Sequence, residues 1–234
     1  MSFGRMGGLG LLFIGLASLP VQAQKTEWEK LNDETLSLFR QGFFVQTVEV
    51  ATRALRIAEK TYGRDHLNVA ASLNNLGMLY KSRGWYGQAE EFYRRALAVK
   101  ERALGPEHPD VARSLNNLAA LYFTEKNYNQ AESLCQRALA IKEKALGSEH
   151  PEVATGLNNL AAMLYSQKKY GQAEPLCLRS LSICEKAYGP DHPEAAAVLN
   201  NLAAIYRKTG RKDEAAALER RVAAIQAMET GDKR

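Results

Sequence analysis

The chain has 234 residues, 46% of them hydrophobic, and 31 Lys and Arg against 26 Asp and Glu give it a formal net charge of +5. So mild a basic excess, scattered through the whole chain with no stripe of interleaved aromatics, argues against nucleic acid as a partner and reads as a solvated surface. Gly and Pro recur at fixed spacings, which punctuates structure and excludes a disordered chain.

Residues 1–23 read as an export signal. Arg5 supplies positive charge, Met6 to Leu19 is apolar and uncharged, and Val21-Gln22-Ala23 offers a cleavage site before Gln24. The apolar run of about 14 residues is short of the roughly 20 needed to span a bilayer, and no Cys follows it as a lipid acceptor. The expectation is a mature protein starting near Gln24, without a membrane span, periplasmic or secreted.

From there the chain is a set of copies. EHPDVARSLNNLAALYFTEKNYNQAESLCQRALAIKEKALGS (107–148) recurs 42 positions on at 149–190 and 42 positions back at 65–106. A fourth copy occupies 191–228 and a degenerate one 24–64, leaving 229–234 as a tail. Strict self-similarity at this period marks a solenoid whose units bury their apolar faces only against one another.

Each unit reads as two helices. In the second, Leu73, Leu76, Gly77 and Tyr80 share one face, Gly84 breaks the chain, and a helix from about Tyr86 turns Ala89, Tyr93, Ala96 and Leu97 inward. Small residues let the two backbones approach and large ones fill the gaps. Between units, Gly63, Gly105, Gly147 and Gly189 suit a helix end, and Pro109, Pro151 and Pro193 suit the first turn of the next. Glu34 and Thr35 interrupt the pattern of the first unit.

All four histidines, His66, His108, His150 and His192, occupy one repeat position. Equivalent points of stacked units stand about a helix diameter apart, so the histidines cannot share a metal ion and are expected to close helix N-termini. Cys177 and Cys184 lie seven apart on one predicted helix, about 10.5 Å, too far to bridge. Cys135 and Cys177 stand where Tyr93 packs one unit earlier, so the thiols are expected to be small buried hydrophobes.

The signature L-N-N-L-[GA]-x-x-Y, followed by A-E and then A-L, resembles the tetratricopeptide repeat, and the 42-residue period with GPxHP linkers resembles its kinesin light chain subtype. The resemblance covers roughly Trp28 to Met228. It implies an all-α, right-handed solenoid of five stacked helix-turn-helix units, the first degenerate. Glu101, Glu143 and Glu185 stand where the shorter 34-residue version has a helix-ending Pro, so the second helices are expected to run on to Leu104, Leu146 and Tyr188.

No phosphate loop and no nucleophile with a base in reach occurs, so the expected class is a non-catalytic binding scaffold with no cofactor and no metal. In the family this chain resembles, the face of each first helix opposite the packed stripe lines a concave groove. Transferred by position, the wall includes Asn75, Asn117, Asn159 and Asn201, amides able to hold a partner's backbone at donors and acceptors alike. The neighbouring row, Asn74, Asn116, Asn158 and Asn200, is assigned to contacts between units. Phe123 and Tyr165 at the rim are candidate apolar anchors. Arg113, Arg207 and Lys208 make the wall neutral to basic, which favours a protein or peptide ligand with an acidic segment or a free C-terminal carboxylate. The alternative is a structural or oligomeric component of the cell envelope, with the amphipathic last helix as contact surface for a homo-oligomer.

Overall fold

Two antiparallel helices per unit follow from one stop in the middle of each repeat and one at its end. The computed structural model describes residues 26–231, and the expected export segment at 1–23 lies outside them. Among the described residues the order is α1 (Glu27–Gln41), α2 (Phe44–Tyr62), α3 (Leu67–Ser82), α4 (Tyr86–Leu104), α5 (Pro109–Thr124), α6 (Tyr128–Leu146), α7 (Pro151–Ser166), α8 (Tyr170–Tyr188), α9 (Pro193–Lys208) and α10 (Lys212–Gly231), with no strand. The second helices thus reach Leu104, Leu146 and Tyr188 as the sequence predicts. The last runs past the expected end at Met228.

The histidines do what their position demands. In each of His66, His108, His150 and His192 the ring Nδ1 accepts the backbone N–H two residues on, at 3.1–3.2 Å, and so satisfies one of the free donors that begin α3, α5, α7 and α9. The linker ends oppositely: at Gly105, φ 86° lets the chain leave α4 while its N–H still donates to the Glu101 carbonyl. Inside each unit the helix-to-helix turn also needs a left-handed residue. Gly84 supplies it in the second unit, but Lys126 (φ 63°) and Lys168 (φ 62°) do so in the third and fourth.

From α3 on, every first helix is clasped between its own second helix and that of the preceding unit. Leu73, Leu115, Leu157 and Leu199 fill this seam as fully buried repeats of one position. Beside them the packing is complementary in size. Facing positions are Thr35 with Ala51, Gly77 with Tyr93, Ala119 with Cys135, and Ala161 with Cys177, all buried. Thr35 thus fits the register of the degenerate unit, its hydroxyl donating to the Leu31 carbonyl at 2.8 Å. Trp28 ties that unit forward, Nε1 donating to Ser72 Oγ at 2.9 Å. At the other end α10 packs Val222 and Ile225 on Ala196 and Leu199 of α9.

All three thiols are free and buried. Burial pushes Cys135 up to about 11 and Cys177 up to about 12. A thiol-reactive dye at pH 8 is therefore expected to label neither in the native protein and both after denaturation, because the thiolate is the nucleophile. Native labelling of Cys135 or Cys177 at the denatured rate would contradict that packing.

Successive first helices touch, α1 with α3 and α7 with α9, whereas no two second helices come comparably close. The first helices therefore line the inner, concave side. The turns within units gather along one edge and the linkers between units along the other, about 24 Å apart for helices of this length.

Candidate functional site: the concave face

The asparagines of the concave wall prove to be joined in rungs. Asn75 Nδ2 donates to Asn32 Oδ1 at 2.7 Å, Asn117 to Asn74 at 2.6 Å, and Asn201 to Asn158 at 2.8 Å. Each rung links the wall row of one unit to the neighbouring row of the unit before, so both rows serve the contacts between units. This revises the expectation of fully available amides. One N–H of Asn75, Asn117 and Asn201 is spent inside the array, and the carbonyl oxygen and second N–H remain for a ligand. Even the degenerate first unit keeps the amide that the ladder needs, Asn32.

The rung that the repeat pattern calls for between Asn116 and Asn159 is not made. Asn116 Oδ1 lies 3.8 Å from Cys135 Sγ, and Asn159 is exposed. A cavity of about 360 Å³ opens there, with Lys81, Asn116, Phe123, Cys135, Asn159 and Met163 among its lining. Lys81 has no ion pair among the described residues, and burial holds its ammonium below the ordinary lysine value. The site is thus an apolar floor with two amides and one unpaired, half-buried cation above it.

A second hollow, about 410 Å³ and more polar, lies towards the N-terminus, lined by Asn32, Asn68, Asn74, Asn75 and Asn117 with Lys100, Asp110 and Arg113. Here the cations are less free. Arg113 is paired with Asp110, and Lys100 Nζ reaches the Asp110 carbonyl at 3.4 Å. Desolvation first, and the Arg113 charge second, lower the Lys100 ammonium from its usual value.

Of the other predicted site residues, Phe123 reaches the central cavity while its ring also packs 5.6 Å from Tyr128. Tyr165 packs on Tyr170 at 5.4 Å, outside that cavity, and Lys208 stands exposed at the end of α9. The sequence reading passed over Lys81, the repeat counterpart of Phe123 and Tyr165. A lysine where those units carry an aromatic was the available signal.

The opposite edge is held by ion pairs between units. Glu59–Arg95, Glu101–Arg137, Glu143–Arg179 and Glu185–Arg221 repeat one contact at 2.6–3.5 Å. The glutamates that replace the helix-ending proline are thus the acceptors of these pairs. A parallel row joins Asp65 to Arg102, Glu107 to Lys144 and Glu149 to Lys186.

A sequence profile described as tetratricopeptide repeat matches residues 36–102, 86–144, 110–176 and 152–227. Among solved structures, a putative kinesin light chain of Podosopora anserina with nearly identical TPR-like repeats is 27% identical, with a TM-score of 0.74 over 86% of this chain and 95% of that one. BtubC (BKLC) from P. vanneervenii is 26% identical, with a TM-score of 0.78 over 87% of this chain and 81% of its own. RapI in its apo form shares the fold at 18% identity and a TM-score of 0.74, covering 89% of this chain and 73% of that one. No curated protein matches the chain.

Proposed function

Because the chain belongs to the tetratricopeptide repeat family, whose stacked units serve protein–protein interaction, we propose that its concave face captures an extended, acidic segment of another exported protein without catalysis. The observation that carries this reading is the unmade rung: an amide pair left open beside an unpaired ammonium, over an apolar floor. A carboxylate of the partner, from a side chain or a chain end, supplies the charge that Lys81 lacks, and Asn159 and Asn116 offer hydrogen bonds to the backbone around it. The two hollows lie along the same helix, α5, so a segment seated in one continues past Asn117 into the other. Since neighbouring units fix each other, the groove is ordered before the ligand arrives, and little ordering cost opposes binding.

Export, to the periplasm or beyond the cell, rests on residues 1–23 and is part of the proposal. Self-assembly through the last helix is the weaker reading, because α10 already spends Val222 and Ile225 on α9.

The direct test is selection of peptides from a random library on residues 24–234. Acidic or carboxylate-terminated sequences are expected, with weakened retention by the Asn159→Ala protein, which loses no rung. A lysine-rich consensus, or peptides held equally by both proteins, would count against this groove.

A further inference from the structure

The basic excess, scattered along the sequence, is not spread evenly in space. On the linker edge most cations are neutralised by the two rows of ion pairs between units, with Lys60 and Arg64, at and just past the end of α2, the exceptions. Along the turn edge stand Arg40, Arg83, Lys126, Lys168, Lys208 and Lys212, all exposed and none with an ion pair among the described residues. Glu125 and Asp213 are the acids in the same turns. The turn edge therefore carries a row of six exposed cations without ion pairs, at least one in every unit.

That edge also carries an apolar tip. Phe43 is 50% exposed, Val45 77% and Trp85 48%, the first and last in the turns of the first two units and Val45 in the first turn of α2. Phe43 and Trp85 hold the repeat position that later units give to Asn127, Lys169 and Arg211. Behind them Phe44 lies edge-on to Trp85 at 5.4 Å, and the Arg83 guanidinium stacks over the Phe44 ring at 4.6 Å. Packing therefore fixes Trp85 and Arg83 at the rim, with part of the indole and all of the Val45 side chain's outer face left to solvent.

We propose that the turn edge docks on an anionic bilayer surface, with Phe43, Val45 and Trp85 entering the interfacial zone and the six turn cations meeting lipid phosphates. Charge complementarity selects a polyanionic partner, and the apolar tip selects a membrane over a nucleic acid. Aromatic rings favour the headgroup level of a bilayer, and a shallow apolar wedge flanked by basic residues is the pattern of peripheral attachment. A nucleic-acid groove needs stacking faces interleaved with its cations. Here the most exposed apolar residue is an aliphatic valine, and the aromatics lie at one end of the row. No helix among the described residues is long and apolar enough to cross a membrane, so the attachment is to the surface. It leaves the concave face free for its peptide.

The test uses residues 24–234, which contain every described helix and omit the apolar leader. Flotation with phosphatidylglycerol-containing vesicles is compared with pure phosphatidylcholine vesicles at low and high salt. Binding to the anionic vesicles alone, weakened by salt, is expected, with a blue shift of Trp85 emission read in a Trp28→Phe background. Lys126→Gly with Lys168→Gly removes two charges at backbone positions that glycine adopts more easily, so the fold is kept. Each lost charge is expected to lower partitioning about fivefold. Phe43→Ser with Val45→Ser should abolish the blue shift. Lys144→Gln with Lys186→Gln removes equal charge from the other edge and should change little. No vesicle binding, equal losses from both edges, or tighter binding to a single-stranded oligonucleotide that ignores Phe43 and Val45 would each overturn the proposal.

Discussion

Gly77→Ala is expected to destabilise the protein, and the same change in a Tyr93→Cys background is expected to be neutral or stabilising. In an open helix alanine gains about 1 kcal/mol over glycine. At Gly77, however, an added Cβ meets two ring carbons of Tyr93 at 2.7 Å, inside any tolerable contact, and the ring is buried against α3 and cannot retreat to solvent. Overpacking of this kind costs about 1–3 kcal/mol, which outweighs the helical gain. Tyr93→Cys alone empties the ring's volume and should cost about 3 kcal/mol or more. The double variant recreates the Ala119/Cys135 pair of the next unit, where both partners are buried without clash. Urea unfolding of the four proteins supplies a double-mutant cycle, and additivity within about 0.5 kcal/mol would refute a shared packing site.

Lys81→Met is expected to weaken peptide capture while raising the melting temperature. The ammonium is partly desolvated without a carboxylate beside it, so the folded state bears an uncompensated charge that an apolar side chain of similar length removes. A charged hydrogen bond to a ligand carboxylate is worth about 1.5–3 kcal/mol, so the loss of affinity should be roughly tenfold to a hundredfold. Lys81→Glu should abolish binding of acidic peptides through repulsion. The sign of the pH effect follows from the lowered value: the cation is present at neutral pH and disappears on raising the pH before an ordinary lysine would. Affinity for an acidic peptide should therefore fall with alkaline pH earlier than free lysine titrates, and the fall should be absent in Lys81→Met. Anisotropy titrations with a labelled acidic peptide measure both. Unchanged affinity in Lys81→Met would move the site elsewhere on the concave face. A lowered melting temperature would show that Lys81 has a structural partner.

Both expectations turn on departures from the repeat. Gly77 with Tyr93 is the one glycine–aromatic pair in a row that the rest of the first four units build from alanine, threonine and cysteine, and the copies themselves make it visible. The break at Asn159 is different. Asn116 and Asn159 are the same residues as their counterparts in neighbouring units, and nothing at their own positions marks the missing rung. Only the three-dimensional arrangement shows it, with Cys135 Sγ 3.8 Å from Asn116 Oδ1 and Lys81 beside the gap.

The sequence alone determined the period, the paired helices, the stops at glycine and the starts at histidine and proline. These are local: a helix end is settled by residues within a turn of it, and identical copies repeat the same instruction. It also determined that Cys135 and Cys177 are small buried thiols, since both align with the core tyrosine Tyr93. What only the tertiary structure decided lies between units. The amide rungs join residues 43 apart and the first row of ion pairs residues 36 apart, offsets set by the stagger of stacked helices and not by the 42-residue alignment that makes copies look equivalent. Equivalence tells which residues play the same part, while contact depends on how far one unit slides past the next. That slide pairs most charges of one edge, leaves a row of cations on the other without ion pairs, and leaves one amide rung of the concave face unmade.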